Sequence, residues 1–327
     1  MSADSAASGG SAPAPEIFLL GVDGGGTKTA AWLAVANGML EPRIVGRGRA
    51  GCSNPRAIGL ELAQTELANA VAAAWVDAGQ TARPADFAVL AVAGAGRPDI
   101  AAAMSAWAVS AGLASRAEMV HDAEAVLAAG TPDGWGVALI AGTGSSAIAI
   151  APDGSRHVCG GWGYRFGDEG SGYWLGRGVL AAVSRAVDGR EPPTALTEIV
   201  MQHFGVADCR AIVETLNHAP NDRQAIAALA PSLAIAAEQG DVAACQLQND
   251  AADALAALVA AAVKSRQLPH GYPLAVAGGV LCGWQALREQ VARRLGGSPV
   301  PPGDVQLVPD PVAGCLRLAA MRSAAAN

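Results

Sequence analysis

The sequence contains little lysine, few aromatic residues and no block of basic charge. Only two of its 327 residues are lysines, Lys28 and Lys264, and aromatic residues make up 4% of the chain. Aspartate and glutamate total 29 against 22 lysines and arginines, so the net charge is −7. A nucleic-acid-binding surface needs clustered basic residues, which this chain lacks. We therefore expect no nucleic-acid partner.

The chain also lacks paired cysteines and long apolar runs. No two of its six cysteines form a C-x-x-C pair, which excludes a zinc ribbon and an iron–sulfur run. Scattered cysteines are typical of the reducing cytosol, so we expect a cytoplasmic protein. The most apolar helical stretch, residues 251–263, is too short to span a bilayer and contains Asp253, so no membrane partner is expected. Residues 1–16 contain no basic residue, which predicts a disordered tail rather than a signal peptide.

Glycine is abundant, and its first cluster follows an apolar run. Residues 17–22 have the length of a strand and lead into Asp23, three glycines and Thr27. A second apolar run at 29–36 completes a predicted hairpin. Because glycines carry no Cβ atom, the backbone N–H groups of this turn can approach an anion, most commonly phosphate. The carboxylate of Asp23 is placed to hold Mg²⁺ through water.

Two better-known phosphate motifs do not fit this turn. A P-loop has the pattern G-x-x-x-x-G-K-[ST], and Thr27 stands where its lysine is required. A Rossmann fingerprint opens a helix, whereas the segment after the glycines is β-branched, aromatic and short. A glycine-rich hairpin without a ligand is the alternative that these residues alone leave open.

The pattern of strand, glycine turn and strand occurs again at residues 136–150. Glycines also follow apolar runs at 94–96 and 278–279. This repetition predicts two mixed α/β halves, and the hydrophobic periodicity places the individual elements. We predict strands at 17–22, 29–36, 43–49, 87–92, 118–120, 136–140, 147–150, 273–277 and 305–307, and helices at 57–79, 99–112, after His121, through most of 168–267, at 284–295 and at 312–322.

Residues 160–172 read Gly-Gly-Trp-Gly-Tyr-Arg-Phe-Gly-Asp-Glu-Gly-Ser-Gly. Together with the Asp-Gly-Gly-Gly-Thr turn, this segment resembles the signature of the BadF/BadG/BcrA/BcrD ATPase family, and most closely its N-acetylglucosamine kinase and glucosamine kinase branch. The resemblance, which runs from about residue 17 to 320, implies an α/β fold of the two-domain actin/hexokinase type (ribonuclease H-like), with an ATP cleft between the domains. The implied domains are residues 17–120 with a returning C-terminal helix at 310–322, and residues 121–309 with a helical insertion.

The same resemblance implies an activity and a set of site residues. It predicts an enzyme that binds ATP and Mg²⁺ and phosphorylates an amino sugar at O6 of N-acetylglucosamine or glucosamine, with a homodimer as the expected assembly. Asp122 matches the catalytic base, and Ser53 and the loop at 95–96 approach the sugar. The other matched residues are Asp23, Gly25, Gly26 and Thr27 in the first phosphate motif, Gly142, Thr143, Gly144 and Ser145 in the second, Gly278 and Gly279 in the adenosine motif, and Asn54, Trp162, Asp168 and Ser171 in the sugar pocket.

The residues alone leave alternatives to these roles. Asp122 and Asp168 each stand at the predicted start of a helix, where an aspartate can simply cap the helix. His121 is interpreted as structural, and Arg97 and Arg165 as surface or interdomain residues. An ATPase activator of the same family would share an iron–sulfur cluster through cysteines, and ROK sugar kinases carry a clustered cysteine zinc motif; neither pattern is present. A sugar-binding regulator descended from a kinase is a third alternative.

Overall fold

The computed structural model of the chain describes residues 16–36, 42–95, 97–219 and 221–325. Nearly all of the predicted tail at 1–16, Gly96 of the second glycine loop and the helix break at Pro220 lie outside the described residues. Over the ranges that are described, no helix combines the length and the apolar character needed to cross a membrane.

A five-stranded sheet forms the first half of the chain. Its strand order is β3-β2-β1-β4-β5, with β1 antiparallel to β2 and parallel to β4. Three helices connect these strands, and two of them, α2 and α3, cover one face of the sheet. The elements are β1 (Ile17–Gly24), β2 (Thr29–Ala36), β3 (Arg43–Ala50), α1 (Pro55–Ile58), α2 (Leu60–Asp77), β4 (Phe87–Val92), α3 (Pro98–Ser110) and β5 (Ala117–Val120).

A second five-stranded sheet repeats this arrangement. Its order is β10-β9-β6-β7-β8, so that β6 is antiparallel to β7 and parallel to β9, as β1 is to β2 and β4. The repeated strand–turn–strand pattern therefore corresponds to two sheets of equivalent topology, as predicted. The strands are β6 (Gly136–Ala141), β7 (Ser145–Ile150), β8 (Arg156–Gly160), β9 (Tyr272–Ala277) and β10 (Pro302–Val308).

Most remaining helices lie between β8 and β9 and pack on the second sheet. Their apolar side chains share one core with the strands, in which Leu139, Leu175, Leu233 and Leu255 are all fully buried. Burial of this surface accounts for the stability of a long helical insertion. The helices are α4 (Asp122–Gly130), α5 (Gly172–Val187), α6 (Leu196–Phe204), α7 (Ala211–Asn217), α8 (Asp222–Ala227), α9 (Ala230–Glu238), α10 (Val242–Arg266), α11 (Gly279–Gly283), α12 (Gln285–Gly296) and α13 (Val312–Ala325).

Helices α4 and α13 lie side by side between the two sheets. Leu316 of α13 packs on the first sheet, whereas Leu127 of α4 packs on the second. Gly314 lies so close to the backbone of Ala125 that no Cβ would fit between the helices. Arg317 donates hydrogen bonds to backbone carbonyls at the C-terminal end of α4, at 2.9 Å for Thr131 O. The last helix thus fixes α4 between the sheets.

Several predicted boundaries differ from the structure for local reasons. The predicted helix at 57–79 is split by Gly59, whose φ of 84° ends α1. The helix predicted to start at Asp99 begins one residue earlier, because Pro98 is favourable in a first helical turn, and Arg97 is the N-cap. The helix predicted from about 168 begins at Gly172 and is capped by the Ser171 hydroxyl, so Asp168 is not its cap. Strand β8 was not predicted.

The capping carboxylate of Asp241 joins the starts of two helices. It accepts hydrogen bonds from Ala244 N at 3.0 Å, Ala195 N at 2.8 Å and Thr194 Oγ1 at 2.9 Å. Asp241→Ala is expected to lower the free energy of unfolding by about 2 kcal/mol, measured by urea denaturation. Asp250→Ala, at an exposed position on α10, is the matched control and should stay within about 0.5 kcal/mol of the wild type.

This loss of stability should depend on pH. Burial raises the pKa of Asp241, but the hydrogen bonds from Ala244, Ala195 and Thr194 outweigh it, so the pKa lies below its ordinary value. A carboxyl with a lowered pKa contributes stability above the ordinary pKa and loses it as the pH falls through the lowered value. The difference between wild type and Asp241→Ala should therefore shrink in acid. Equal losses of stability in Asp241→Ala and Asp250→Ala at neutral pH would contradict the capping role of Asp241.

Candidate active site

A cavity of about 390 Å³ opens between the two halves, at the carboxyl ends of β1, β6 and β9. Three glycine turns reach it: the β1–β2 turn, the β6–β7 turn and the turn between β9 and α11. The first residue of α4, Asp122, also lines the cavity. Because both sheets end at the same place, the topology brings together segments far apart in the sequence.

The two hairpin turns face each other across this cleft. The hydroxyl oxygens of Thr27 and Thr143 are 3.3 Å apart, although 116 residues separate them. Each turn is closed by a backbone hydrogen bond, from Gly25 N to Lys28 O at 2.9 Å and from Gly142 N to Gly144 O at 2.9 Å. Facing turns of this kind can bind a polyanion from two sides, with N–H groups and hydroxyl donors.

The β9–α11 turn lies directly against the second hairpin turn. Gly278 has a φ of 93° and approaches the backbone of Ala141 so closely that a Cβ atom would not fit. A Cβ on Gly142 would lie 3.9 Å from the Gly278 Cα atom. The β6–β7 and β9–α11 turns therefore form one continuous small-residue wall opposite the β1–β2 turn, with Gly279 also in the lining of the cleft.

Asp23 stands at the end of β1 and faces a second carboxylate. Burial and the negative charge of Asp122 raise the pKa of Asp23 to about 7. A bound cation would offset the repulsion between these two carboxylates. In the described part of the chain, no group of three or more His, Cys, Asp or Glu could hold a metal. The single carboxylate fits a Mg²⁺ that keeps most of its waters and is bound chiefly by substrate phosphates.

Asp122 is the first residue of α4, and His121 is the N-cap residue. The Oδ1 atom of Asp122 lies 2.8 Å from His121 Nδ1 and accepts a hydrogen bond from Ala123 N at 2.9 Å. Burial raises the pKa of Asp122, but the hydrogen bond and charge of His121 outweigh it, so the pKa lies below its ordinary value. The carboxylate is therefore ionised at neutral pH and able to accept a proton.

Asp168 lies in a loop with a φ of 62°, and its side chain is only 4% exposed. It accepts a hydrogen bond from Ser145 N at 3.4 Å, and Arg223 Nη2 is 3.3 Å from its Oδ2 atom. Burial raises the pKa of Asp168, against the lowering effects of Ser145 N–H and the Arg223 charge. Asp168 thus links the second hairpin turn to helix α8.

Of the other three predicted sugar residues, Asn54 lines the cleft, whereas Ser171 and Trp162 do not. Asn54 lines the cleft and caps α1, with its Oδ1 accepting from Arg56 N at 2.9 Å. Ser171 is fully buried, and its hydroxyl accepts from Trp174 N, so it supports α5 and is not in the cleft lining. Trp162 is 70% exposed and also outside the lining, because the glycines on both sides turn it outward.

Sequence reasoning missed several lining residues, whereas Arg97 and Arg165, interpreted as surface or interdomain residues, are both exposed. Arg223 lies in the cleft from a short helix that carries no recognisable motif, so no local signal could have identified it. Arg97 forms an exposed ion pair with Asp99 at 2.7 Å, and Arg165 packs near Tyr164, both outside the lining. The other lining residues without a predicted role are Gly24, Lys28, Arg56, Ala93, Gly94, Val126, Ile140, Ser146, Gly161, Gly163, Ala277, Cys282, Pro309 and Pro311.

Comparisons with known proteins show which family the chain resembles. The family model of the BadF/BadG/BcrA/BcrD ATPase family matches residues 20–302. An N-acetyl-D-glucosamine kinase from Dictyostelium discoideum is 28% identical over 276 residues, which cover 81% of this chain and 85% of that protein. An N-acetylmuramic acid/N-acetylglucosamine kinase from Clostridium acetobutylicum is 26% identical over 265 residues, with the same coverages of 81% and 85%.

A solved structure also resembles the chain over almost its whole length. A candidate N-acetylglucosamine kinase from Chromobacterium violaceum superposes with a TM-score of 0.73 and 28% identity. The match covers 93% of this chain and 99% of that one. The shared architecture is the two-sheet α/β fold described above.

Proposed function

The chain belongs to the BadF/BadG/BcrA/BcrD ATPase family, and from this premise we propose that it transfers a phosphoryl group from ATP·Mg²⁺ to an amino sugar. The acceptor is O6 of N-acetylglucosamine or glucosamine, and Asp122 is the general base. The observation that carries the proposal is the Asp122 carboxylate, which lines a cleft that also contains two facing glycine turns. Similarity to named N-acetylglucosamine kinases supports the choice of an amino sugar.

In this proposal the nucleotide lies along the wall of glycine turns. The hairpin turns at Gly25–Thr27 and Gly142–Ser145 bind the phosphates with backbone N–H groups and threonine hydroxyls. Gly278 and Gly279 leave space beside the adenosine. Asp23 would hold Mg²⁺ through water, and the ion would supply positive charge against the phosphate oxygens.

Asp122 then receives the proton of the acceptor hydroxyl as its oxygen attacks the terminal phosphorus, and ADP leaves. A positioned base of this kind contributes roughly 10²–10⁴-fold. Asn54 and Asp168 are the proposed partners of the sugar hydroxyls. Trp162 would reach the sugar only if its loop moved toward the cleft, which fits a closure of the two halves that excludes water.

The resemblance also supplies proposals about organisation. We propose an N-terminal domain of residues 17–120 completed by the helix at 310–322, and a C-terminal domain of residues 121–309. The packing of α13 on the first sheet supports this division. A homodimer is proposed from the resemblance alone, and a cytoplasmic location from the scattered cysteines.

Nucleotide binding should weaken as the pH falls below 7. Because the pKa of Asp23 is raised to about 7, its carboxyl group is partly protonated near neutral pH. It must release this proton to bind the cation. About ten times less of the carboxylate is ionised at pH 6 than at pH 8 for a pKa near 7. The Mg²⁺-dependent part of nucleotide affinity, measured by calorimetry, should fall by a similar factor.

Asp23→Asn is the matched control for this pH effect. The variant cannot exchange the proton, so its weaker binding should vary with pH only as the nucleotide itself titrates. Identical pH dependence in wild type and variant would contradict the assignment of Asp23 to the cation.

The proposed activity is tested by coupled ADP release over a panel of sugars. N-acetylglucosamine, glucosamine, N-acetylmuramate, N-acetylmannosamine and glucose are each supplied with Mg·ATP. A large increase in rate with one amino sugar is the expected result and identifies the substrate. ADP release that ignores every sugar would reject the kinase proposal and favour the ATPase-activator alternative, which iron analysis of the purified protein would then test.

A further inference from the structure

His121, interpreted from sequence as structural, contacts the proposed base directly. Its Nδ1 atom lies 2.8 Å from Asp122 Oδ1 and 3.2 Å from the backbone nitrogen of Ala123. The imidazole is about one-quarter exposed, as is the carboxylate. The second distance is typical of an N-cap acceptor, and the first of a hydrogen bond to a carboxylate.

One nitrogen cannot accept from Ala123 N–H and donate to Asp122 at the same time. Without a proton on Nδ1, two lone pairs would face each other over 2.8 Å, which is unfavourable. The Ala123 N–H group has a nearer acceptor in Asp122 Oδ1, at 2.9 Å. The geometry therefore assigns the proton to Nδ1, which donates to Asp122.

This assignment distinguishes the two oxygens of the carboxylate. The hydrogen bonds from His121 and Ala123 both end on Oδ1. They fix the plane of the carboxylate and leave Oδ2 as the oxygen that a ligand hydroxyl can use. Holding the base in one rotamer avoids the loss of rate that follows when a reacting group is misplaced.

Charged groups from neighbouring elements surround this pair. Glu124 Oε1 accepts from the His121 backbone nitrogen at 3.4 Å and forms an ion pair with Arg156. Arg322 of α13 lies 3.9 Å from Glu124 Oε2 and 2.6 Å from Glu118 Oε1. On the cleft side, Asp23 faces the Asp122 carboxylate, and the charges of Lys28 and Asp310 act on Asp23.

We propose that His121 is a positioning residue for the proposed base: its Nδ1–H group holds Asp122 Oδ1 so that Oδ2 faces the acceptor hydroxyl. The inference rests on the proposed function and deepens it, because it names the atom of Asp122 that takes the proton. His121 is not among the residues that line the cleft, so it acts through Asp122.

Two variants of nearly identical size test the donor. In His121→Asn an amide N–H can occupy the place of Nδ1–H, whereas His121→Asp offers only acceptors there. Both side chains are favourable N-caps, so the start of α4 is preserved in each. We expect the asparagine variant to keep kcat within about threefold, and the aspartate variant to lose about 10-fold to 100-fold, with the KM for ATP unchanged in both. The acid limb of kcat/KM should move to higher pH only in the aspartate variant.

Equal kcat and equal pH profiles in the two variants would overturn the inference, since His121 would then only cap the helix. A second measurement does not need turnover: the ¹⁵N chemical shift of Nδ1 in the intact wild-type protein at neutral pH reports whether that nitrogen carries a proton. An unprotonated Nδ1 would also overturn it. The failure of the proposed function is distinguishable, because wild-type protein would then show no sugar-dependent ADP release whatever the state of His121.

Discussion

Replacing Asp122 with asparagine is expected to lower kcat by roughly 10²–10⁴-fold while ATP still binds. The amide has almost the same size and can still accept from Ala123 N, so the start of α4 should persist. It cannot take a proton from the acceptor hydroxyl, so only the chemical step is removed. Steady-state kinetics with the preferred sugar and calorimetry with nucleotide measure the two quantities separately.

The matched control makes the same chemical change outside the cleft. Asp153 is exposed in the β7–β8 turn and accepts a hydrogen bond from its neighbour Ser155, at 2.9 Å from Ser155 N. Asp153→Asn should therefore leave kcat unchanged. Near-normal turnover in Asp122→Asn would exclude the base role, and loss of ATP binding would point to a collapsed site instead.

Replacing Asp168 with alanine is expected to lower the free energy of unfolding by roughly 3 kcal/mol. The change leaves the Arg223 guanidinium without its carboxylate partner, and Arg223 Nε is already buried with no hydrogen-bond partner among the described residues. It also removes the acceptor of Ser145 N, so the second hairpin turn loses its support. Urea denaturation measures the stability, and sugar-dependent ADP release measures the effect on the site.

A double variant separates the two consequences of losing Asp168. Asp168→Ala combined with Arg223→Met removes the unpaired charge and should recover part of the lost stability, because an apolar side chain of similar length replaces the cation. Sugar phosphorylation should remain impaired, since the Asp168 carboxylate is still missing. A single variant as stable as the wild type would show that the buried pair is not needed for folding.

The fold was predictable wherever the signal was local. Apolar runs followed by glycines marked the strand ends at Asp23 and Ala141, and their repetition predicted two equivalent halves. The family, predicted from residues 160–172 and the first glycine turn, and the α/β fold that the resemblance implied are both confirmed. Such motifs are readable because a strand and its turn depend on neighbouring residues.

The missed features depend on packing between distant segments. Arg223 reaches the cleft because α8 packs closely on α5, where Gly176 lies against the backbone of Ile226 with no room for a Cβ atom. The periodicity of two helices does not show how closely they approach. The proton assignment of His121 likewise depends on differences of a few tenths of an ångström between interatomic distances. The sequence of a strand-to-helix junction does not give such distances.

The most direct test of the central claim is to identify the product. The wild-type protein is incubated with Mg·ATP and the sugar that stimulates ADP release most, and the mixture is analysed by mass spectrometry and ³¹P NMR. We expect an amino sugar that has gained one phosphoryl group, with the phosphorus coupled to the two protons on C6. Inorganic phosphate together with unchanged sugar would contradict it, because the chain would then hydrolyse ATP without phosphorylating a sugar.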